Sequence, residues 1–377
     1  MIFENFKAKQ NISLLIFLFV NFIFSVKYIS RVSNYYLPIS ILIVFFYFLI
    51  WKYQNLIDRS NVNLNKINIF ILLFLFLSSF LVFVKVPVED LNVDRWSVIA
   101  TYWDNYFNDK YVYFAKSCHN NPPGPMPFYF ILALPFYLIG ELGLFSLMGI
   151  ILFYYLLKKN KISLKNQTLV LLLVGGSLFY LWEIVCRSNV FLNGVLVLLV
   201  VLYILKQPII TQKNIILIGV CTGLVLSTRN VFVIPFIITF IYLLSKKNIN
   251  LIQLIYIGFI TVITFTLTFI PFIWNHLQDF KIMNPFIIQS SVLMPFKYTL
   301  FFIFLSFIVG FVCKSKDDVI FFSGLVLFLS ICLYYIFWII QTSFVNTFFE
   351  SGADISYYIF CLPFCIFHML KIKVSAN

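Results

Sequence analysis

Charge is scarce in this chain of 377 residues: Asp, Glu, Lys and Arg together make up 11%, with 14 acidic residues and three histidines. A soluble domain carries roughly a quarter of its residues as charges, so that class is excluded. Cysteine is equally uninformative as a scaffold. Cys186, Cys221, Cys313, Cys332, Cys361 and Cys365 fall in or beside apolar runs, and only Cys118 lies in a polar loop, so no disulfide framework follows. Cys361 and Cys365 share a helix face without histidine or carboxylate neighbours in sequence, which points to packing rather than a metal. There is no Gly-rich phosphate loop, no HExxH, no Asp-x-Asp, no heptad pattern and no internal repeat. Soluble nucleotide-binding machinery is therefore absent, and no metal or cofactor is expected. The first apolar run has no small-residue cleavage site and is followed by Lys27 and Arg31, so it is expected to remain as a helix.

What the chain does have is apolar sequence: 62% hydrophobic residues, including 48 Phe. The fold class this implies is all-α, a polytopic transmembrane helical bundle of about twelve crossings of a hydrocarbon core roughly 30 Å thick. The apolar runs are 12–29, 37–50, 68–86, 127–157, 168–185, 189–205, 214–228, 231–245, 251–273, 297–312, 318–340 and 355–370. We treat 1–377 as one transmembrane domain, with a large external loop at 87–126, core helices over 127–245 and C-terminal helices over 251–370. The net charge of +13 comes from short basic clusters between apolar runs. That is how membrane topology is encoded, and it gives no reason to expect nucleic acid. With the N-terminus inside, most Lys and Arg fall on the inner side, provided that 127–157 crosses once. A break at Gly140 and Glu141 that made two crossings would move most of them outside, so a single crossing is expected, with its first turns along the interface or the whole steeply tilted.

Under that topology the unusual polar residues gather externally. The loop 87–126 opens with Glu89, Asp90, Asp94, Arg95 and Trp96, continues through Tyr111, and ends in Cys118, His119, Asn120, Asn121, Pro122, Pro123, Gly124, Pro125, Met126 and Pro127. A carboxylate at the membrane surface, shielded by Trp96 and Trp103, is expected to have a raised pKa suited to taking a proton from a hydroxyl. Asp94 reads equally as the cap of an interfacial helix over about 94–106, whose aromatic face is Trp96, Ile99, Trp103, Tyr106 and Phe107. The prolines fix the chain as it re-enters the membrane, with Pro127 suited to a first helical turn and Gly124 to a close approach or positive φ. His119 and Asn120 beside them are candidate ligands for a sugar or phosphate.

These residues resemble, in order and spacing, the GT-C superfamily of membrane glycosyltransferases, of the type that includes the protein mannosyltransferases. The likeness runs from Asp90, Asp94, Arg95 and Trp96 through Tyr111, Val112 and Tyr113 to Asn121, Pro122 and Pro123, and continues to about Pro235. Two extra crossings precede the acidic loop here, a departure from the family pattern. The resemblance implies an enzyme of a bacterial-type inner membrane, or of an endomembrane. Its donor would be a polyprenyl-phosphate-linked sugar, its acceptor a lipid, glycan or protein, and membrane lipids its surroundings. It makes Asp94, or else Asp90, the general base of an inverting transfer. Glu89, Arg95, Tyr111, His119, Asn120 and Asn121 would bind substrate.

A leaving phosphate needs cations, and two arginines lie at external tips. Arg187 follows Glu183 by four residues, a spacing that suits an ion pair as well as a site role. Arg229 sits in Ser227–Asn230 between two runs of about 15 residues, too short for vertical spans, so its tip is expected below the membrane surface. His276, Asp279, Glu350 and Asp354 form further external polar loops, and His368 reads as a core or interface residue rather than a ligand. The competing classes are a transporter or flippase of lipid-linked substrate, and a membrane assembly protein without catalysis.

Overall fold

A computed structural model describes residues 5–59, 63–91, 93–207, 211–292, 295–350 and 352–370. The described residues are 79% helical, with no strand among them. Helix is the form that satisfies every backbone polar group within one apolar segment. Each apolar run forms helix, but the lengths differ. Phe6–Ile29, Leu64–Lys85, Leu251–Ile273 and Lys316–Gln341 are long and apolar enough to cross a membrane, and two bent pairs bring the number to six if each counts as one span. Six further apolar helices have 10–17 residues. At about 1.5 Å per residue, fifteen residues cover roughly 22 Å, less than the hydrocarbon core.

The run 127–157, expected to cross once, is not one continuous helix. Pro127–Ile139 and Gly143–Lys159 meet at 120°. Gly140 ends the first helix in the left-handed region at φ 87°, where a side chain would be strained. The Glu141 carboxylate then accepts from Gly143 N at 2.7 Å and starts the second helix. The run 168–185 breaks likewise: Leu164–Gly175 and Leu178–Val185 meet at 59°. There Ser177 accepts from Tyr180 N as the new N-cap.

Two compact units emerge, each assembled from separated segments. The first comprises Met1–Val86, Ser146–Val195 and Phe328–Asn377. Phe17, Phe24, Phe153, Phe179 and Phe191 are fully buried in it, and Phe17 meets Phe179 edge-on at 6.4 Å between centroids. His368 is also fully buried, its Nδ1 3.0 Å from the Ser13 hydroxyl, so it is a core residue as expected. Cys361 and Cys365 are buried in the same C-terminal segment.

The second unit comprises Pro87–Phe145 and Leu196–Leu327, and so contains the whole polar loop. Two of its helices, Gln212–Leu226 and Leu251–Leu267, touch backbone to backbone through Gly219 and Gly223, a small-xxx-small spacing. A Cβ on Gly223 would stand 2.6 Å from the Thr261 carbonyl oxygen and 2.8 Å from Thr264 Cβ. Gly223→Ala is therefore expected to force the helices apart at a cost of about 1–3 kcal/mol. Gly258, with nothing within 4 Å of its Cβ position, is the control: Gly258→Ala should leave stability equal or higher. Thermal unfolding in detergent distinguishes the two, and equal midpoints would refute the close-packing account.

Candidate functional site

The loop's first carboxylates stand apart from its third. Glu89 and Asp90 lie exposed in the short 3-10 turn Val88–Asp90. Asp94 is half-buried at the N-cap position of the helix Arg95–Phe107, yet its side chain makes no capping hydrogen bond. Instead its Oδ2 accepts from Ser117 Oγ at 2.9 Å and from Asn121 Nδ2 at 2.8 Å. The carboxylate thus ties the far side of the loop to the start of the helix.

Ser117 is the centre of that tie and is itself buried. Its hydroxyl donates to Asp94 while accepting from the backbone N–H of His119 and of Asn121. Asn120 takes the left-handed conformation at φ 61° to close the turn, and its N–H donates to the Ser117 carbonyl at 2.8 Å. Asparagine tolerates that region better than most residues. Ser97 completes the knot: its hydroxyl accepts from Cys118 N at 3.0 Å and donates to the Asp94 carbonyl. His119, Asn120 and Asn121 are exposed around this knot.

Burial raises the Asp94 carboxyl, but the Arg95 guanidinium, the hydrogen bonds from Asn121 and Ser117, and nearby His119 outweigh it and hold the carboxyl below its usual value. This reverses the raised value expected from the flanking tryptophans. Shielding was visible in sequence, whereas the donors come from more than twenty residues away.

The helix expected at the interface forms over Arg95–Phe107, and part of its aromatic face packs against protein. Ile99 and Trp103 are buried, and Trp103 Nε1 donates to the Phe130 carbonyl at 3.1 Å. Tyr102, absent from the expected face, stacks on Phe130 at 3.6 Å between centroids. Tyr111 is buried and donates its hydroxyl to the Met283 carbonyl at 2.7 Å. Burial and then Asp279 push that phenol up. It fastens the loop to the segment after Trp274 rather than offering a free hydroxyl to substrate. His276 packs 5.6 Å from Tyr111 and lies 3.0 Å from the Asp279 carboxylate.

The proline return is fastened at both ends. Tyr113 donates to the Pro125 carbonyl at 3.3 Å, and Gln289 Nε2 to the Gly124 carbonyl at 2.6 Å. Gly124 itself has neither positive φ nor a crowded Cβ position, so its expected special role is not realised. Pro127 does begin its helix. The free amides of that first turn find partners on the Ser227–Arg229 tip: Met126 N donates to the Thr228 carbonyl at 3.2 Å, and Tyr129 N to that of Ser227 at 3.3 Å. Arg229 lies half-buried over the Tyr129 ring at 5.4 Å. The structure therefore brings Arg229 to the end of the loop's return.

Arg187 belongs to the first unit and has a different environment. It is 1% exposed, with Nη1 donating to the Val185 carbonyl and Nη2 to those of Phe83 and Val86. The last two carbonyls close the C-terminal end of Leu64–Lys85, where a cation is favoured. Glu183 is fully buried and accepts from Val190 N, Phe191 N and the Ser188 hydroxyl, which caps the next helix. Both residues hold helix ends. Ser117 and Gln289 were missed in sequence; of these, only Ser117 carried a signal, as a hydroxyl opening a turn before two asparagines.

Two measurements check these assignments. The depressed Asp94 value stabilises the fold fully above the unfolded carboxyl value near 4, and the gain is lost as pH falls through the folded value. Asn121→Ala should raise the folded value, lowering stability at neutral pH and shrinking the acid-dependent loss, as followed by circular dichroism during acid titration. An unchanged acid profile would refute the tie. Arg187→Ala should destabilise on the order of 3 kcal/mol by leaving buried carbonyls unsatisfied, with Arg187→Lys intermediate in thermal unfolding. Comparison with family models, with curated proteins and with solved structures finds no match for this chain.

Proposed function

We propose that the chain is an integral-membrane glycosyltransferase that moves a sugar from a polyprenyl-phosphate carrier to a lipid, glycan or protein acceptor. The transfer takes place on the extracytoplasmic face of an inner membrane, or on the lumenal face of an endomembrane. The observation that carries this is the asymmetry of the Asp94 carboxylate. Its Oδ2 accepts from both Ser117 and Asn121, and among the described residues Oδ1 accepts no hydrogen bond. One oxygen is fixed and the other is available to an acceptor hydroxyl.

In the reaction, the acceptor oxygen bonds to the anomeric carbon as its proton passes to Asp94 Oδ1. The bond from that carbon to the carrier phosphate breaks, and the phosphate leaves with the electron pair, inverting the centre. A carboxyl held low is a weak base but stays ionised at neutral pH. It acts late, once bond formation has made the acceptor proton acidic. Arg229, beside the first turn of Pro127–Ile139, is the candidate cation for the leaving phosphate. The associated architecture is a GT-C-like bundle of about twelve crossings. Among the described residues four helices, or six spans if each bent pair counts as one, are long and apolar enough to cross a membrane, which supports the membrane-spanning part of this reading.

The two broken pairs also favour a second reading, a transporter of lipid-linked substrate, because interrupted helices mark such pathways. Purified protein in vesicles with labelled polyprenyl-phosphate sugars and candidate acceptors separates the classes. Asp94→Asn is expected to slow transfer by about 10²–10⁴-fold, while Asp90→Asn leaves it near native. Transfer untouched by Asp94→Asn would sink the base assignment. Movement of carrier across the bilayer without sugar transfer would replace the enzyme by the transporter.

A further inference from the structure

Lys27 lies in the last turn of Phe6–Ile29 and is 2% exposed. Its ammonium stands 5.8 Å from the centroid of the Phe348 ring. Arg31, four residues on and exposed, rests over the Tyr28 ring at 5.0 Å, and its like charge acts on Lys27. Among the described residues no carboxylate pairs with either cation. The acids of the neighbouring segment are engaged elsewhere or at the surface: Asp354 accepts from Ser356 N at 2.9 Å, and Glu350 is exposed.

A buried ammonium without a counter-charge is among the most unfavourable groups in an apolar protein, and a second cation one turn away makes it worse. An aromatic face offsets part of that cost, but it does not neutralise two charges. Phe348 belongs to Val345–Phe349, a single π-helical segment of the kind that recurs at functional sites. Its ring lies beside the ammonium.

We propose that Lys27 and Arg31 form a phosphate-binding site in the first unit, with exposed Arg31 at the mouth and Lys27 at the floor. Phosphate suits such a pair because its several oxygens can accept charge-assisted hydrogen bonds from an ammonium and a guanidinium together. The same chemistry is offered by a lipid headgroup and by free phosphate. The site does not depend on the glycosyltransferase reading.

The test uses the full chain in phosphatidylcholine nanodiscs, with long-chain polyprenyl phosphate, phosphatidylglycerol or inorganic phosphate as probes. Thermal unfolding and direct binding are read for native protein, Lys27→Met and Arg31→Gln. Without probe, Lys27→Met should unfold no lower than native, since a buried charge is removed. With probe, the native midpoint should rise, and both variants should bind roughly tenfold more weakly or worse. A response to the lipid probes alone identifies a headgroup site, and a response to inorganic phosphate as well identifies a general phosphate site; either supports the proposal. No response to any probe, or equal binding by native and Arg31→Gln, overturns it. Because Arg31 is exposed, that second variant stays informative even if Lys27→Met folds poorly.

Discussion

Helix ends inside an apolar protein must find partners for their free amides and carbonyls, and this constraint decides where several of the few buried charges sit. Glu183 meets the amides that open Val190–Lys206, and Arg187 meets the carbonyls that close Leu64–Lys85. Asp318 accepts from Lys314 N and Ser315 N at the start of Lys316–Gln341. Glu141 does the same after the Gly140 break. A short apolar chain segment that bends thus needs a charged or hydroxyl side chain at the bend. Polar residues between apolar runs are caps first, and a functional role has to be argued from a departure.

Two departures stand out against that background. Asp94 occupies an N-cap position without capping, its carboxylate turned to a serine and an asparagine across the loop. Lys27 is buried against an aromatic ring where a carboxylate would be expected. With 27 basic residues against 14 acidic ones, the chain cannot pair every cation internally. Lipid phosphate is the abundant anion around a membrane protein, so a surplus of cations near its surface is electrostatically sensible.

The positions of the helices were legible because long Phe-rich runs leave little choice of conformation. Their continuity was not. Gly140, Glu141 and Gly175–Ser177 break runs that are otherwise apolar, and charge counting, which bears on the number of crossings, does not show where a helix bends. Within the loop, the proline return and Asp94 carried clear local signals. The partners that give them meaning lie far off in sequence: Ser117 for Asp94, Gln289 for Gly124, Ser227 and Thr228 for the turn at Pro127. Arg187 was misleading for the same reason, since its exposure was inferred from its place at a tip whereas burial depends on a helix a hundred residues away.

The density of these long-range ties bears on how such a loop can work. A segment of about forty residues free to move would lose much conformational entropy each time it ordered around a substrate. Here Tyr111, Tyr113, Gly124 and Met126 are each held by a hydrogen bond to a distant carbonyl or side chain. Ser117 and Asn121 then hold the Asp94 Oδ2 atom on that base. Geometry of this kind suits a group that must meet a reacting hydroxyl in one orientation. The same donors that fix the carboxylate also lower its basicity, so positional precision and proton affinity oppose each other at Asp94. A transfer whose acceptor proton becomes acidic only as the new bond forms is the chemistry in which that exchange favours catalysis.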